Sequence, residues 1–220
     1  MKTQRESISK SESAVRQEYN RLALIYDRRW QNYISKSLSF LLDFADFSTD
    51  TSILDVACGT GELAKLLLEK NPQQQITGVD ISESMLEIAR NKLDIYSNVS
   101  LYRASVTSLP FDNDSFDLVT CANAFHYFEN PELTLIEMKR VLKPKGEIII
   151  LDWCRDYWVL KLCDLVFRSI DPAYQRCYTQ KELEQLLVNS GFNLEKNSKV
   201  RFGSIWELII VEGESDRKII

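Results

Sequence analysis

The sequence predicts an α/β fold: a doubly wound, mostly parallel sheet with helices on both faces and an antiparallel hairpin at one edge. Three observations predict it. Between residues 52 and 152, short apolar runs alternate with stretches of helical periodicity, the pattern of repeated βαβ units with right-handed crossovers. The first run ends in a turn carrying Gly59 and Gly61, and the second ends in Asp80. The last two apolar runs, 192–201 and 204–211, are separated only by a short turn at 202–203, so they pair antiparallel.

The elements follow in order. Over residues 13–46 the apolar side chains fall at helical spacing. Val15, Tyr19, Leu22, Ile25 and Tyr26 form one stripe, and Ile34, Leu38, Leu41, Leu42, Phe44 and Ala45 form another. Two helices are expected, with a break around residues 27–30, after a polar segment 1–12 that frays. Next come a strand at 52–57 and a helix at 62–70 ended by Asn71-Pro72. A strand at 75–80 precedes a helix at 83–95 that Ser82 caps. Strands at 98–103 and 115–122 lead to a helix opened by Pro131, then a turn at 143–146 and a buried strand at 147–152. Residues 153–178 are apolar and aromatic and expected to be helical. Thr179 caps a helix over 180–190, and Gly191 closes it. The chain is read as one domain over 1–220, with cap helices in 1–46 and a substrate-side insertion at 153–178.

Composition narrows the classes. A chain of 220 residues, 45% hydrophobic and 27% charged, can bury a full core. A net charge of -5 argues against nucleic acid as a partner, because phosphate binding needs a basic footprint. No apolar run approaches the roughly 20 residues of a membrane span, and residues 1–17 lack a signal-peptide core. A cytoplasmic protein is expected. Cys58, Cys121, Cys154, Cys163 and Cys177 are scattered and His126 is the sole histidine, so neither a disulfide framework nor a metal site is expected. The cysteines read as small apolar fillers.

The chemistry concentrates in residues 54–61, Leu-Asp-Val-Ala-Cys-Gly-Thr-Gly, and in Asp80. Glycines at the end of a strand let the backbone approach a ligand, and a carboxylate ending the next strand accepts from the ribose hydroxyls of a nucleoside. The dinucleotide pattern needs a third glycine. Here Glu62-Leu-Ala follows Gly61, and Glu62 at a helix start would repel a pyrophosphate. A cationic sulfonium ligand without phosphate suits such a loop, with Asp55 meeting the amino group of an amino-acid tail. The bland alternative, a tight turn with no ligand, leaves Asp55 and Asp80 unexplained.

These residues resemble the class I S-adenosyl-L-methionine (SAM)-dependent methyltransferases, within them the group that includes the ubiquinone/menaquinone C-methyltransferases. The matching stretches are 54–61, Val-Asp-Ile-Ser-Glu-Ser-Met-Leu at 79–86, Leu-Pro-Phe at 109–111 with Ser-Phe-Asp-Leu at 115–118, and Arg-Val-Leu-Lys-Pro-Lys-Gly at 140–146. The resemblance implies SAM as cofactor and a sheet order of 3-2-1-4-5-7-6 with strand 7 antiparallel. It also implies that Gly59 and Gly61, with the backbone of Ala57 and Cys58, surround the methionine moiety. Asp80 would hold the ribose, Ile81 and Met85 the adenine faces, and Asn123 the sulfonium side. Where many relatives place an acid against the adenine amino group, this chain has Ser105, which leaves more to the Val106 backbone and to Asp80. His126 would face the acceptor, where it could remove a proton; packing between helices is the alternative. Tyr19 and Tyr26 would close the pocket or pack on the sheet flank, and Trp30 would pack. Tyr157 and Trp158, with Trp153 and Phe167, would wall an aromatic pocket or form a buried cover helix, which could also touch a membrane surface.

The expected function is methyl transfer from SAM to a small aromatic or apolar acceptor, with quinone-type C- or O-methylation first. Positioning supplies most of the rate in such a transfer. The other readings are a SAM-binding regulatory or scaffold protein without catalysis, an NAD-dependent oxidoreductase, and an arsenite methyltransferase using Cys154, Cys163 and Cys177. The expected partner is the small-molecule methyl acceptor, bound by a monomer or homodimer.

Overall fold

The computed structural model describes residues 9–48, 50–171, 173–202 and 206–216, so most of the segment 1–12 expected to fray and part of the turn expected at 202–203 lie outside the described residues. The strands are β1 (Ser52–Val56), β2 (Gln75–Asp80), β3 (Val99–Arg103), β4 (Phe116–Ala122), β5 (Leu142–Trp153), β6 (Phe192–Phe202) and β7 (Trp206–Ser215). Among the described residues they form one sheet in the order β3-β2-β1-β4-β5-β7-β6. The first five strands run parallel, and β7 lies antiparallel to both β5 and β6. The helices are α1 (Lys10–Phe44), α2 (Glu62–Lys70), α3 (Glu83–Lys92), α4 (Pro131–Val141), α5 (Trp158–Ile170) and α6 (Gln180–Asn189).

The alternation of side chains along the strands sorts the core into two layers. Leu54, Val56, Val119, Ile148 and Ile150 face α4 and α6, meeting Leu135, Met138, Leu183 and Leu187. Ile53, Leu118, Ile149 and Leu151 face the other way, meeting Leu63 and Leu67 of α2 and Leu38 and Leu41 of α1. Strand order reverses between β1 and β4, so their crossovers leave by opposite faces and a crevice opens beyond their carboxyl ends.

The two helices expected over 13–46 are one. α1 runs unbroken for 35 residues. Ser9 accepts from the Glu12 N–H and Glu12 reaches back to the Ser9 N–H, a capping box that starts the helix inside the segment expected to fray. No glycine or proline occurs between residues 10 and 44, so nothing breaks it near residue 27. The two stripes differ because the helix has two neighbours: its second half enters the core, and its first half crosses the carboxyl edge of the sheet.

The insertion is also less helical than expected. Trp153 ends β5, Cys154 bridges to Tyr178, and only 158–170 form a helix. One face of α5 is exposed along Trp158, Leu162, Leu165 and Ile170. Among the described residues, no helix is long and apolar enough to cross a membrane.

Candidate functional site

A cavity of about 280 Å³ fills the crevice. Its floor comes from the strand ends: Ala57 and Gly59 after β1, Asp80 and Ile81 after β2, Asn123 and Ala124 after β4. Ala57 (φ 58°) and Asn123 (φ 59°) both hold left-handed backbone at the ends of neighbouring strands. For a residue with a Cβ this costs about 1–2 kcal/mol, the kind of strain that persists where a site needs it. Gly59 is left-handed too, and a Cβ added there would meet nothing within 4 Å. Packing therefore does not demand a glycine there; the backbone conformation does, and open space lies over it.

Asp80 organises this floor. Its Oδ2 accepts the Gly59 N–H at 2.8 Å and its Oδ1 accepts the Ser82 N–H at 2.8 Å, so one buried carboxylate fixes both the β1 turn and the start of α3. Burial pushes its pKa up, and the N–H bonds from Ser82, Gly59 and Ile81 pull it back. Met85, on the first turn of α3, and Val106, after β3, complete an apolar slot beside it.

Several expected contacts lie elsewhere. Gly61 does not line the cavity: a Cβ there would sit 3.0 Å from Leu93 Cδ1 and 3.2 Å from Ala89 Cβ, so it is a glycine for close packing on α3. The Cys58 thiol lies against Gly78, where an added Cβ would meet Sγ at 2.8 Å. Asp55 sits beneath the floor, 3% exposed, and accepts from Thr120 Oγ1 at 3.0 Å. Glu62, at the start of α2, is paired with Lys92 rather than left to face a ligand.

Asp55 carries a pH signature. Burial pushes its pKa from 3.8 to about 7, against the pull of the Thr120 bond. The fold thus holds the Asp55 proton that the unfolded chain releases near pH 4. Stability is unaffected below that pH, falls as pH rises toward 7, and stays lowered above it, by about 4 kcal/mol in all. Asp55→Asn removes this slope. Thermal melts from pH 4 to pH 8 should show the variant gaining steadily on the wild type, whatever constant offset the amide brings. Parallel curves would mean that Asp55 is ionised throughout.

The cavity roof is α1, which contributes Glu12, Val15, Tyr19 and Tyr26. It is tied to each loop it crosses. Asn20 Oδ1 accepts from Ser82 Oγ at 2.7 Å, and Asp27 accepts from Thr60 Oγ1 at 2.6 Å and from Lys92 at 2.7 Å. Tyr33 donates to Asn123 Oδ1 at 2.6 Å and accepts from Trp153 Nε1 at 2.7 Å, while Asn123 Nδ2 donates to Ser37 at 3.0 Å. Ser105 does not line the cavity. Its hydroxyl accepts the Thr107 N–H at 3.2 Å and donates to the carboxylate of Glu12.

The far end is aromatic. Tyr19 lies 5.8 Å from Tyr26 and 5.5 Å from Tyr127, ring to ring, and Phe128 and Leu133 close the wall. Burial pushes the Tyr19 and Tyr26 phenols up and carries Tyr127 to about 12, so all three stay protonated at neutral pH. They are hydrogen-bond donors there, not bases.

His126 is not in the wall. It is 2% exposed, its Nδ1–H donates to Asp152 Oδ1 at 2.6 Å, and its backbone N–H donates to Asp152 Oδ2 at 2.7 Å. Its ring stacks on Trp153 at 4.4 Å with an 11° tilt, and Nε2 is buried without a hydrogen-bond partner. The one histidine is a packed side chain behind Tyr127, reached from β5 rather than from the cavity. Tyr157 and Trp158 also stand apart: neither lines the cavity, and Trp158 is 75% exposed. Trp30 is half-buried, 6.4 Å from the Tyr33 ring.

Sequence reading missed Glu12, Tyr127 and Asp152. For Glu12 a signal existed: Ser9-Lys-Ser-Glu12 is a capping-box pattern that starts the helix early enough to carry Glu12 over the sheet. Asp152 lies one residue before the end of β5, but nothing local links it to residue 126.

Charge sorts the possible ligands. Glu12, Asp80 and Glu129 line the cavity, and among the described residues no lysine, arginine or histidine does. A pyrophosphate would have no cationic partner, whereas a sulfonium nucleoside finds carboxylates and a slot for its base. Residues 53–146 match the family described as methyltransferase domain. That stretch carries the strand ends and most of the acidic cleft, and it indicates a SAM-dependent methyltransferase with SAM as its cofactor. Among its relatives are proteins named demethylmenaquinone methyltransferase from Staphylococcus aureus strains JH9 and Newman, 27% identical over 91% of this chain and 83% of theirs. Solved structures share the fold. A chain from the complex between the Haloferax volcanii Trm112 methyltransferase activator and a methyltransferase aligns at TM-score 0.82, with 19% identity over 94% of this chain and 99% of that one. The [4+2]-cyclase SpnF aligns at 0.76, with 16% identity over 94% of this chain and 97% of its own.

Proposed function

We propose that the protein methylates a small aromatic acceptor carrying an acidic hydroxyl, a quinol-type ring first, at carbon or oxygen. One observation carries this reading: beyond Asn123 the cavity is walled by Tyr19, Tyr26, Tyr127 and Phe128. Such a wall suits a flat ring, offers phenolic donors to its oxygen and excludes water. The name of the Staphylococcus aureus relatives supports the same acceptor class.

In this reading Ala57 and Gly59 surround the methionine moiety, Asp80 takes the ribose hydroxyls, and Ile81, Met85 and Val106 hold the adenine. Asn123 and Ala124 border the sulfur. SAM supplies a methyl group on a positively charged sulfur, a good leaving group. The chain's own task is to align the acceptor in line with it and to keep water out. No neutral base lines the cavity among the described residues, and His126 lies behind the wall. The acceptor must then ionise readily, on its own or to a carboxylate such as Glu129, as quinols and catechols do more easily than alkyl alcohols. His126 becomes a positioning residue for Tyr127. With an apolar acceptor, the exposed face of α5 is where contact with a lipid surface would fall.

The test is methyl transfer from labelled SAM to a reduced demethylnaphthoquinone, a catechol and a primary amine offered in parallel. Labelled quinol or catechol product is expected. Transfer to the amine alone, or SAM binding with no transfer to either aromatic, would overturn the proposal; the second outcome would indicate a SAM-binding protein without catalysis.

A further inference from the structure

We infer that Glu12, on the roof helix, is the acceptor for the adenine amino group of the cofactor, and that Ser105 is the socket that holds it there. The inference rests on the ribose placement at Asp80 proposed above.

The geometry follows from the loop after β3. The Ala104 N–H donates to the Asp80 carbonyl at 3.1 Å, so this loop leaves the sheet directly beside the ribose position. Val106 and Thr107 then turn into the cavity, facing Ile81 and Met85. A purine joined to a ribose at Asp80 enters this slot. Its faces meet apolar side chains, and its one exocyclic donor, the 6-amino group, needs an acceptor at the rim.

The carboxylate beside this slot is that of Glu12, which is bonded to Ser105 next to Val106 and Thr107. Its carboxylate takes the Ser105 hydroxyl on Oε1, while among the described residues Oε2 accepts only the Ser9 N–H at 3.3 Å, and Glu12 lines the cavity. Each carboxylate oxygen can accept twice, so acceptor sites remain for a ligand. Ser105 is spent on protein partners, Thr107 on one side and Glu12 on the other. A serine at the loop and a carboxylate on the helix thus divide between them what one acidic side chain would do alone. The helix bearing Glu12 is held by Asn20 and Asp27 further along, so the carboxylate is presented only when the roof is seated.

The experiment compares S-adenosylhomocysteine with its purine analogue lacking the 6-amino group, by calorimetry, on the full chain. Glu12→Gln is the main variant, because glutamine still completes a capping box and keeps the helix start. Wild type should bind the adenine form about ten- to a hundredfold more tightly than the deaminated form, the range of a hydrogen bond to a charged group. Glu12→Gln should shrink that preference about tenfold, by weakening the adenine form and leaving the deaminated form nearly unchanged. Ser105→Ala should shrink it in the same direction by less. A preference unchanged in Glu12→Gln, or an equal loss for both ligands, overturns the assignment. Asp80→Ala separates the two levels. If it weakens both ligands while Glu12→Gln leaves the preference intact, the ribose placement stands and Glu12 falls; if it weakens neither, the placement itself fails.

Discussion

Asp80→Ala is expected to reduce SAM and S-adenosylhomocysteine affinity by a hundredfold or more. Hydrogen bonds to a charged group contribute about 1.5–3 kcal/mol each, and a ribose offers two hydroxyls. A second loss adds to the first. Asp80 also accepts the N–H groups of Gly59 and Ser82, so its removal leaves the β1 turn and the start of α3 without their shared anchor. Burial of the carboxylate is itself costly, which offsets part of the damage to the empty fold. Affinity should therefore fall further than stability. Titration calorimetry beside thermal melts reads both. Unchanged affinity with a lowered melting temperature would reduce Asp80 to a structural anchor.

Asp152→Ala should lower stability by about 3–5 kcal/mol, because three N–H donors lose their acceptor at about 1–3 kcal/mol each, less the cost of burying the carboxylate. Its two oxygens serve His126 Nδ1–H, the His126 backbone N–H and the Trp153 N–H at 2.6, 2.7 and 2.6 Å, all buried or nearly so. Without them the ring stacked on Trp153 loses its tether, and Tyr127 loses its backing in the cavity wall. Acceptor KM should rise severalfold while SAM affinity stays close to wild type, since no Asp80 contact is touched. His126→Gln distinguishes positioning from proton transfer: a positioning histidine leaves the pH profile of kcat in place, and a base removes its acidic limb. Chemical denaturation and steady-state kinetics check the pair. A variant as stable as wild type would show that the buried carboxylate holds nothing together.

The parts of this molecule that were legible in the sequence are those whose partners are near in the chain. Gly59 and Asp80 declare themselves because one lies in the turn after a strand and the other ends the next strand, and adjacent strands β1 and β2 bring them together. The alternation of runs and the closing hairpin predict a parallel sheet with an antiparallel edge, and the strand order came only with the family resemblance. Contacts between distant segments had no such signature. Ser105 and Glu12 stand 93 residues apart, and a serine in place of an acid reads as a loss until the helix above it is seen. The break expected in α1 came from a real change of stripe, caused by a change of neighbour rather than of backbone. His126 drew a catalytic reading by being the only histidine, yet its burial was decided by Asp152 and Trp153 on β5. In α5, apolar periodicity marked a face correctly but not its direction: Trp158 points outward.

α1 has a further consequence, for the order in which the molecule assembles. Its second half is seated on the opposite end of the chain: Phe40 meets Phe202 at 6.5 Å, Lys196 donates to the Phe44 carbonyl at 2.9 Å, and Leu38 and Leu41 share a core layer with Leu208 and Ile210. During synthesis this helix emerges before every strand it covers, and part of its seat emerges after them all. The nascent chain must hold an amphipathic helix in waiting until the final hairpin leaves the ribosome, and pairings of such long sequence separation slow folding. Until then the strand ends already carry Gly59 and Asp80, and the roof over them can be anchored only through its first half, at Ser82, Thr60 and Lys92. Full anchoring of the roof thus arrives late, with the closing of the second half of the first helix onto the last strands.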